Sequence, residues 1–172
     1  MRLNNVHLIA KNFPSIDHIF FDFDGVFTPN TVIVDQNGKE AIQCSRSDGI
    51  GLAKLKALSM NMSILSSEIN PIVLHRAKKL GIDVNSNVDN KLKFAQNFCK
   101  QKNINLKNII FVGNDENDLD LILKVGVSFG PADSWSKIIE SVDFVTLRNG
   151  GYGCVREICE FLFQIMRVKN EK

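Results

Sequence analysis

The stretch that decides the fold is His18-Ile19-Phe20-Phe21-Asp22-Phe23-Asp24-Gly25-Val26-Phe27-Thr28. Its first six residues, His18 to Phe23, read as a buried strand, apolar apart from an acid near the end. Asp22 and Asp24 then emerge where the strand runs out, and Gly25 lets the backbone turn sharply behind them. Two carboxylates so close repel, and one proton or one cation must relieve that repulsion. Carboxylate oxygens suit Mg²⁺. With a cation present, one acid can attack an electrophile while the other protonates a leaving group. Taken alone, the same residues also describe a plain strand followed by an acidic turn.

Working outward, apolar runs of strand length alternate with segments of helical period. Thr31 to Val34 and Glu40 to Cys44 flank Gln36-Asn37-Gly38, where Asn-Gly supplies the positive φ angles of a tight hairpin turn. The spacing of Ile50, Leu52, Leu55 and Leu58 predicts a helix over Asp48–Leu58. Met62 to Leu65 reads as a second strand. Asn70-Pro71 starts a helix that Gly81 stops. A helix from about Asn90 to Lys102 precedes a strand over Asn108–Val112. Leu119–Val125 is helical, Val127–Phe129 extended, and a last helix runs from about Tyr152 to Met166. Alternating strands and helices predict an α/β fold: a three-layer, Rossmann-like, mostly parallel sheet with helices on both faces. The loops at the carboxyl ends of such strands hold the ligand. No repeat or linker divides the chain, so residues 1–172 are read as one domain with a hairpin insert at about 31–44.

Two further strand ends are unusually polar. Ile64-Leu65-Ser66-Ser67-Glu68 places a hydroxyl where it can donate to a phosphoryl oxygen, or simply cap the helix begun near Asn70. Phe111-Val112-Gly113-Asn114-Asp115-Glu116-Asn117-Asp118 could complete a metal site facing the first pair. It would also make an ordinary turn with a favourably acidic helix start. Lys91 sits at a helix N-terminus, against the dipole, which hints at another purpose such as neutralising phosphate. His7, His18 and His75 share no pattern.

Composition narrows the class. The chain has 172 residues, 44% hydrophobic, and a formal charge of +2. A domain of that size buries roughly 70% of its unfolded surface and needs no staples. Acids and bases are interspersed, without the concentrated basic patch that nucleic-acid or membrane-surface partners demand; Lys100-Gln101-Lys102 reads as a solvated helix end. Cys44, Cys99, Cys154 and Cys159 form no CxxC pair and read as reduced, mostly buried thiols. The N-terminus carries Arg2 but no signal-like apolar stretch, and no segment is long enough to span a bilayer. A cytoplasmic location is expected.

Asp-x-Asp, then Ser, then Lys, then Gly-Asn-Asp-x-x-Asp, each at or near a strand end, resembles the haloacid dehalogenase superfamily from about Ile16 to Phe163. The resemblance implies a Mg²⁺-dependent phosphomonoesterase. Asp22 would attack phosphorus to form an aspartyl-phosphate, and Asp24 would serve as acid and then base. Ser66 and Lys91 would hold the phosphoryl oxygens. Mg²⁺ would be bound by Asp22, the Asp24 carbonyl and the acidic loop. Many relatives have aspartate where this chain has Asn114, so one negative charge is lost; Asp115 or Asp118 could compensate.

Between the first two motifs there is no room for a cap domain. Arg46-Ser47-Asp48-Gly49-Ile50-Gly51, Pro131-Ala132-Asp133 and Gly150-Gly151-Tyr152-Gly153-Cys154-Val155-Arg156-Glu157 look like the capless phosphatases of 3-deoxy-2-ulosonic acid phosphates. They also look like the C-terminal module of some sialic-acid cytidylyltransferases. That likeness implies a homotetramer whose neighbours partly cover the cleft, with the Asn37-Gly38 hairpin as contact and Arg156 approaching a neighbour's site. It implies substrate contacts from Asp48, Gly49, Ser67, Glu68, Lys79 and Arg156. Octulosonate phosphatases usually read Thr-Gly-Arg where this chain has Ser66-Ser67-Glu68. Glu68 with Lys79 resembles the nonulosonate phosphatases and leans the expectation toward a nine-carbon acid phosphate. A weakly active or inactive oligomerisation or regulatory module is the alternative, and a non-sugar substrate on the same chemistry is a third.

Overall fold

The computed structural model describes residues 13–170; Arg2 and His7 lie outside them. Its centre is a six-stranded sheet of β1 (His18–Phe21), β4 (Met62–Leu65), β5 (Asp83–Asn85), β6 (Ile109–Val112), β7 (Val127–Gly130) and β8 (Phe144–Val145). The order is β5-β4-β1-β6-β7-β8, and every neighbouring pair is parallel. A separate antiparallel hairpin, β2 (Ile33–Val34) with β3 (Glu40–Ala41), completes the strands. The helices are α1 (Ser47–Ala57), α2 (Ile72–Leu80), α3 (Lys91–Lys102), α4 (Leu119–Ile122), α5 (Ser136–Ser141) and α6 (Cys154–Asn170).

The period of two along the strands sorts the core into two layers. Ile19, Phe21, Ile64 and Val112 face α1, α2 and α6, meeting Leu52, Leu55, Val73 and Leu162. Phe20, Leu65 and Phe111 face the other way, onto Ala95, Cys99, Leu121 and Ile138 of α3, α4 and α5. The three-layer α/β architecture is therefore as the sequence predicts, and among the described residues no cap domain interrupts it.

Three local differences stand out. The hairpin turn carries positive φ at Gly38 but not at Asn37. Asp35 Oδ1 accepts from the amides of Asn37 and Lys39, which closes a longer loop than the expected tight turn. The helix expected over 119–125 starts as a 3₁₀ turn at Glu116–Asp118 and ends at Ile122. The last helix runs on to Asn170.

Chain order places β1 between β4 and β6, where the sheet reverses direction of growth. Open α/β sheets bind ligands at the carboxyl ends of the strands flanking such a point. Asp22 follows β1 immediately.

Candidate active site

Strand register brings the motifs together. Phe21 pairs with Ile64 on one side and Val112 on the other, so Ser66 and Asn114 emerge on either side of Asp22. Asp22 is held by its own amide donating to Val112 O at 2.8 Å. The residue is 6% exposed. Gly25 takes φ +75, and a Cβ there would meet the Asn114 amide at 2.0 Å, so only glycine admits this close approach.

Lys91 answers the charge. It is 2% exposed, and its Nζ lies 2.8 Å from Asp22 Oδ1 and 2.6 Å from Asp118 Oδ1. Burial alone would push its ammonium down, but Asp22 and Asp118 more than reverse that, so its pKa moves up. Asp118 is fully buried, and its Oδ2 also accepts from the amides of Asn114 and Asp115 at 2.8 and 3.3 Å. It therefore ties the acidic loop to Lys91. Burial, reinforced by the Asp118 carboxylate, raises the Asp22 pKa to about 7, with Lys91 opposing. Asp24 is also raised, first by burial and then by Glu68, while the Thr28 hydroxyl donates to its Oδ1 at 3.4 Å.

The other side of Asp22 is a cation-sized convergence. The inward atom of the Asn114 amide lies 3.3 Å from Asp22 Oδ2 and 2.8 Å from the Asp24 carbonyl oxygen. With its nitrogen inward, Asn114 donates to both; with its oxygen inward, three oxygens face one point. Among the described residues, no three His, Cys, Asp or Glu side chains gather as a metal cluster. A hard cation here would rest on one carboxylate, one carbonyl and one amide, all oxygen donors of the kind Mg²⁺ accepts. The residues fit.

Of the expected phosphate contacts, Ser66 is buried; its Oγ accepts from the Glu68 amide at 3.1 Å, which leaves its own proton to donate. Glu68, with Asp24, Glu40, Thr31, Asn70 and Ile72, lines a cleft of about 330 Å³. Asn70 Nδ2 donates to Glu40 Oε2 at 2.9 Å, joining hairpin to loop across that cleft. Ser67 stands exposed, donating to Val88 O.

The other expected residues are placed as follows. Asp115 is exposed and spends its carboxylate capping the 3₁₀ turn at Glu116, so Asn114 rather than Asp115 converges on Asp22. Asp48 is fully buried and cannot meet a substrate from where it stands, and Gly49 faces Leu80. Lys79 is exposed in the last turn of α2, about 10 Å along the axis from the end of that helix lining the cleft. Arg156 bonds Glu160 at 2.6 Å and lines a separate groove with Ser47, Leu147, Arg148 and Tyr152. Thr28, Glu40 and Asn70 join the site beyond those expectations. Thr28 follows Asp24 by four and carries a hydroxyl, a signal present in the sequence; the Glu40–Asn70 contact has no local signal.

With this geometry in hand, a family model for haloacid dehalogenase-like hydrolases matches residues 54–158. The chain belongs to the haloacid dehalogenase-like hydrolases. Among these hydrolases, it is 30% identical over 157 residues to the 3-deoxy-D-manno-octulosonate 8-phosphate phosphatase of Salmonella typhimurium, covering 91% of this chain and 83% of that one. It superposes with TM-score 0.85 and 27% identity on the corresponding phosphatase of Moraxella catarrhalis, solved with magnesium, phosphate and a KDO molecule; the match covers 99% of this chain and 95% of that one. A cobalt-bound form of the Haemophilus influenzae phosphatase matches with TM-score 0.81 and 27% identity, over 91% and 90% of the two chains. Among the described residues no helix is long and apolar enough to cross a membrane.

Proposed function

We propose that this one-domain hydrolase is a Mg²⁺-dependent phosphomonoesterase for the terminal phosphate of a 3-deoxy-2-ulosonic acid, with 3-deoxy-D-manno-octulosonate 8-phosphate as first choice. The observation that carries the reading is Asp22, with one carboxylate oxygen on Lys91 and the other facing the Asn114 amide and the Asp24 carbonyl. Asp22, Asp24 through its carbonyl, and Asn114 would hold the cation. When bound, it would neutralise charge on the phosphoryl group and keep Asp22 ionised despite burial.

Asp22 attacks phosphorus; the bond from phosphorus to the sugar oxygen breaks, and Asp24 delivers the proton that the leaving alcohol needs. Asp24, now ionised, takes a proton from water as that water attacks the aspartyl-phosphate. The phosphorus–Asp22 bond breaks, releasing phosphate and restoring both acids. Lys91 and the Ser66 hydroxyl stabilise charge on the phosphoryl oxygens through transfer.

The curated relatives support the eight-carbon substrate. The nine-carbon reading drew on Glu68 together with Lys79; only Glu68 reaches the cleft, which keeps nonulosonate 9-phosphate as the second candidate. The test is phosphate release from both acids and from glucose 6-phosphate, with Mg²⁺ or EDTA, beside Asp22→Asn. Release confined to an ulosonate phosphate, abolished by EDTA and by the substitution, is expected. Release indifferent to both defeats the mechanism, and no release on any substrate favours a regulatory module.

A further inference from the structure

The cleft wall on the hairpin side is acidic, with Asp24, Glu40 and Glu68, and no lysine or arginine lines it. Such a wall can accept hydrogen bonds from hydroxyls, and its apolar side chains, Pro29, Val32, Ile42 and Ile72, are all aliphatic, so it offers no flat aromatic face on which a capless protein could stack a leaving group. The opposite side of the site differs. There the loop after β7 is bonded to the loop after β6: the Trp135 amide donates to Asn114 O at 3.0 Å. Asn114 is the residue whose side chain converges on Asp22. Trp135 thus begins α5 one hydrogen bond from the catalytic loop, at the same edge of the sheet.

Its backbone is fixed. Ser134 Oγ donates to Pro131 O at 2.8 Å, the Trp135 carbonyl accepts from Ile138 and Ile139, and Asp133 Oδ1 receives the Gly150 amide. Its ring is not. The indole is 57% exposed, and among the described residues it has no aromatic, cationic or hydrogen-bonding side-chain partner. A large aromatic left open on a rigid loop supplies contact area at low entropic expense, which is how ligand and partner sites are built.

Resting on the phosphomonoesterase reading, we infer that Trp135 is a specificity-determining contact for the leaving group. Its flat face packs on the C–H face of a sugar or polyol whose hydroxyls turn toward Glu40 and Glu68. The indole N–H is a donor free to meet a further ligand oxygen. The ligand class is a phosphorylated polyhydroxylated carbon chain or ring with one bare hydrocarbon face. The alternative occupant, a second copy of this chain, is less favoured. The exposed apolar run Val32–Val34 offers self-association a surface on the hairpin, whereas Trp135 is tied through its amide to the loop of Asn114.

Trp135 is the sole tryptophan of the chain, so its emission reports this position alone. In the full-length Asp22→Asn protein, which retains substrate, 3-deoxy-D-manno-octulosonate 8-phosphate should shift the emission and shield it from acrylamide. Inorganic phosphate, which fills only the phosphate end, should do neither. In the otherwise wild-type enzyme, Trp135→Ala should raise KM for the sugar phosphate about tenfold, equivalent to about 1.4 kcal/mol, with kcat within about twofold. Trp135→Phe should recover most of the loss, since it keeps a ring face. Unaltered KM in Trp135→Ala, or emission that follows protein dilution and ignores the sugar phosphate, overturns the inference while the proposed function stands. A wild-type protein that hydrolyses no phosphomonoester overturns both.

Discussion

Lys91 and Asn114 teach opposite lessons about single residues. Lysine against a helix dipole was a visible anomaly, and the structure resolves it: the ammonium is buried between Asp22 and Asp118. Its partner Asp118 was visible too, but as a metal ligand, because a contact spanning 27 positions leaves no local pattern. Asn114 stood out as a departure from aspartate, and Asp115 looked like its replacement. Backbone curl decided otherwise, turning Asp115 outward as a cap and Asn114 inward. Asn114→Asp therefore has a two-sided expectation. A carboxylate 3.3 Å from Asp22 Oδ2 repels it in the absence of metal, so the melting temperature in EDTA should fall. The added charge should lower the Mg²⁺ concentration for half-maximal activity about tenfold, about 1.4 kcal/mol of cation binding. Thermal melts with EDTA and a Mg²⁺ titration of phosphate release measure the two halves.

Among elements, the buried strands β1, β4, β6 and β7 were legible because unbroken apolar runs can only be satisfied inside a sheet. Asp83–Asn85 and Phe144–Val145 were not read as strands: both are short edges, and the first carries Asp and Asn, which disfavour β structure. Pairing with β4 and β7 makes them. The contact between α1 and α6 was also invisible. Gly51 lets the helices close, since a Cβ there would lie 2.9 Å from Arg156 Cδ and Cys159 Cβ. That closeness seals Asp48, whose two carboxylate oxygens have no hydrogen-bond partner; the Arg156 amide nearby lies outside bonding geometry. Burial raises its pKa to about 6, although Arg76 of α2 and Arg156 of α6 oppose the shift; the Cys154 and Cys159 thiols also lie close. The folded pKa exceeds the unfolded value of 3.8, so the protonated form is favoured by folding. Stability is thus fullest below about pH 4 in this group's contribution and is lost as pH rises through about 6. Asp48→Asn should flatten that loss and be more stable than the parent at pH 7.5, by on the order of 2 kcal/mol. Urea unfolding at pH 4 to 8 tests it; parallel curves for the two proteins would remove the buried charge as the cause.

At the scale of the molecule, completion of the open cleft rests on the family resemblance, not on any pattern in the residues themselves. The hairpin stands apart from the main sheet, with strands of two residues each, too short for a two-stranded ribbon to hold its shape on internal bonds alone. Val32, Ile33 and Val34 are 50%, 67% and 56% exposed, three consecutive apolar residues that present both faces of a strand to water. Unpaired edges and apolar faces together favour addition of another strand. The Glu40–Asn70 bond would link any such contact to the loop carrying Glu68. Ile33→Asp places a charge in the middle of this patch while touching nothing in the two core layers. The parent is expected to run as a tetramer on gel filtration at micromolar concentration, and the variant as a monomer with an intact circular-dichroism spectrum. If a neighbour narrows the cleft of the parent, KM for the sugar phosphate should rise in the variant. A monomeric parent would remove the subunit cover altogether, and a variant that stays tetrameric would move the contact off the hairpin.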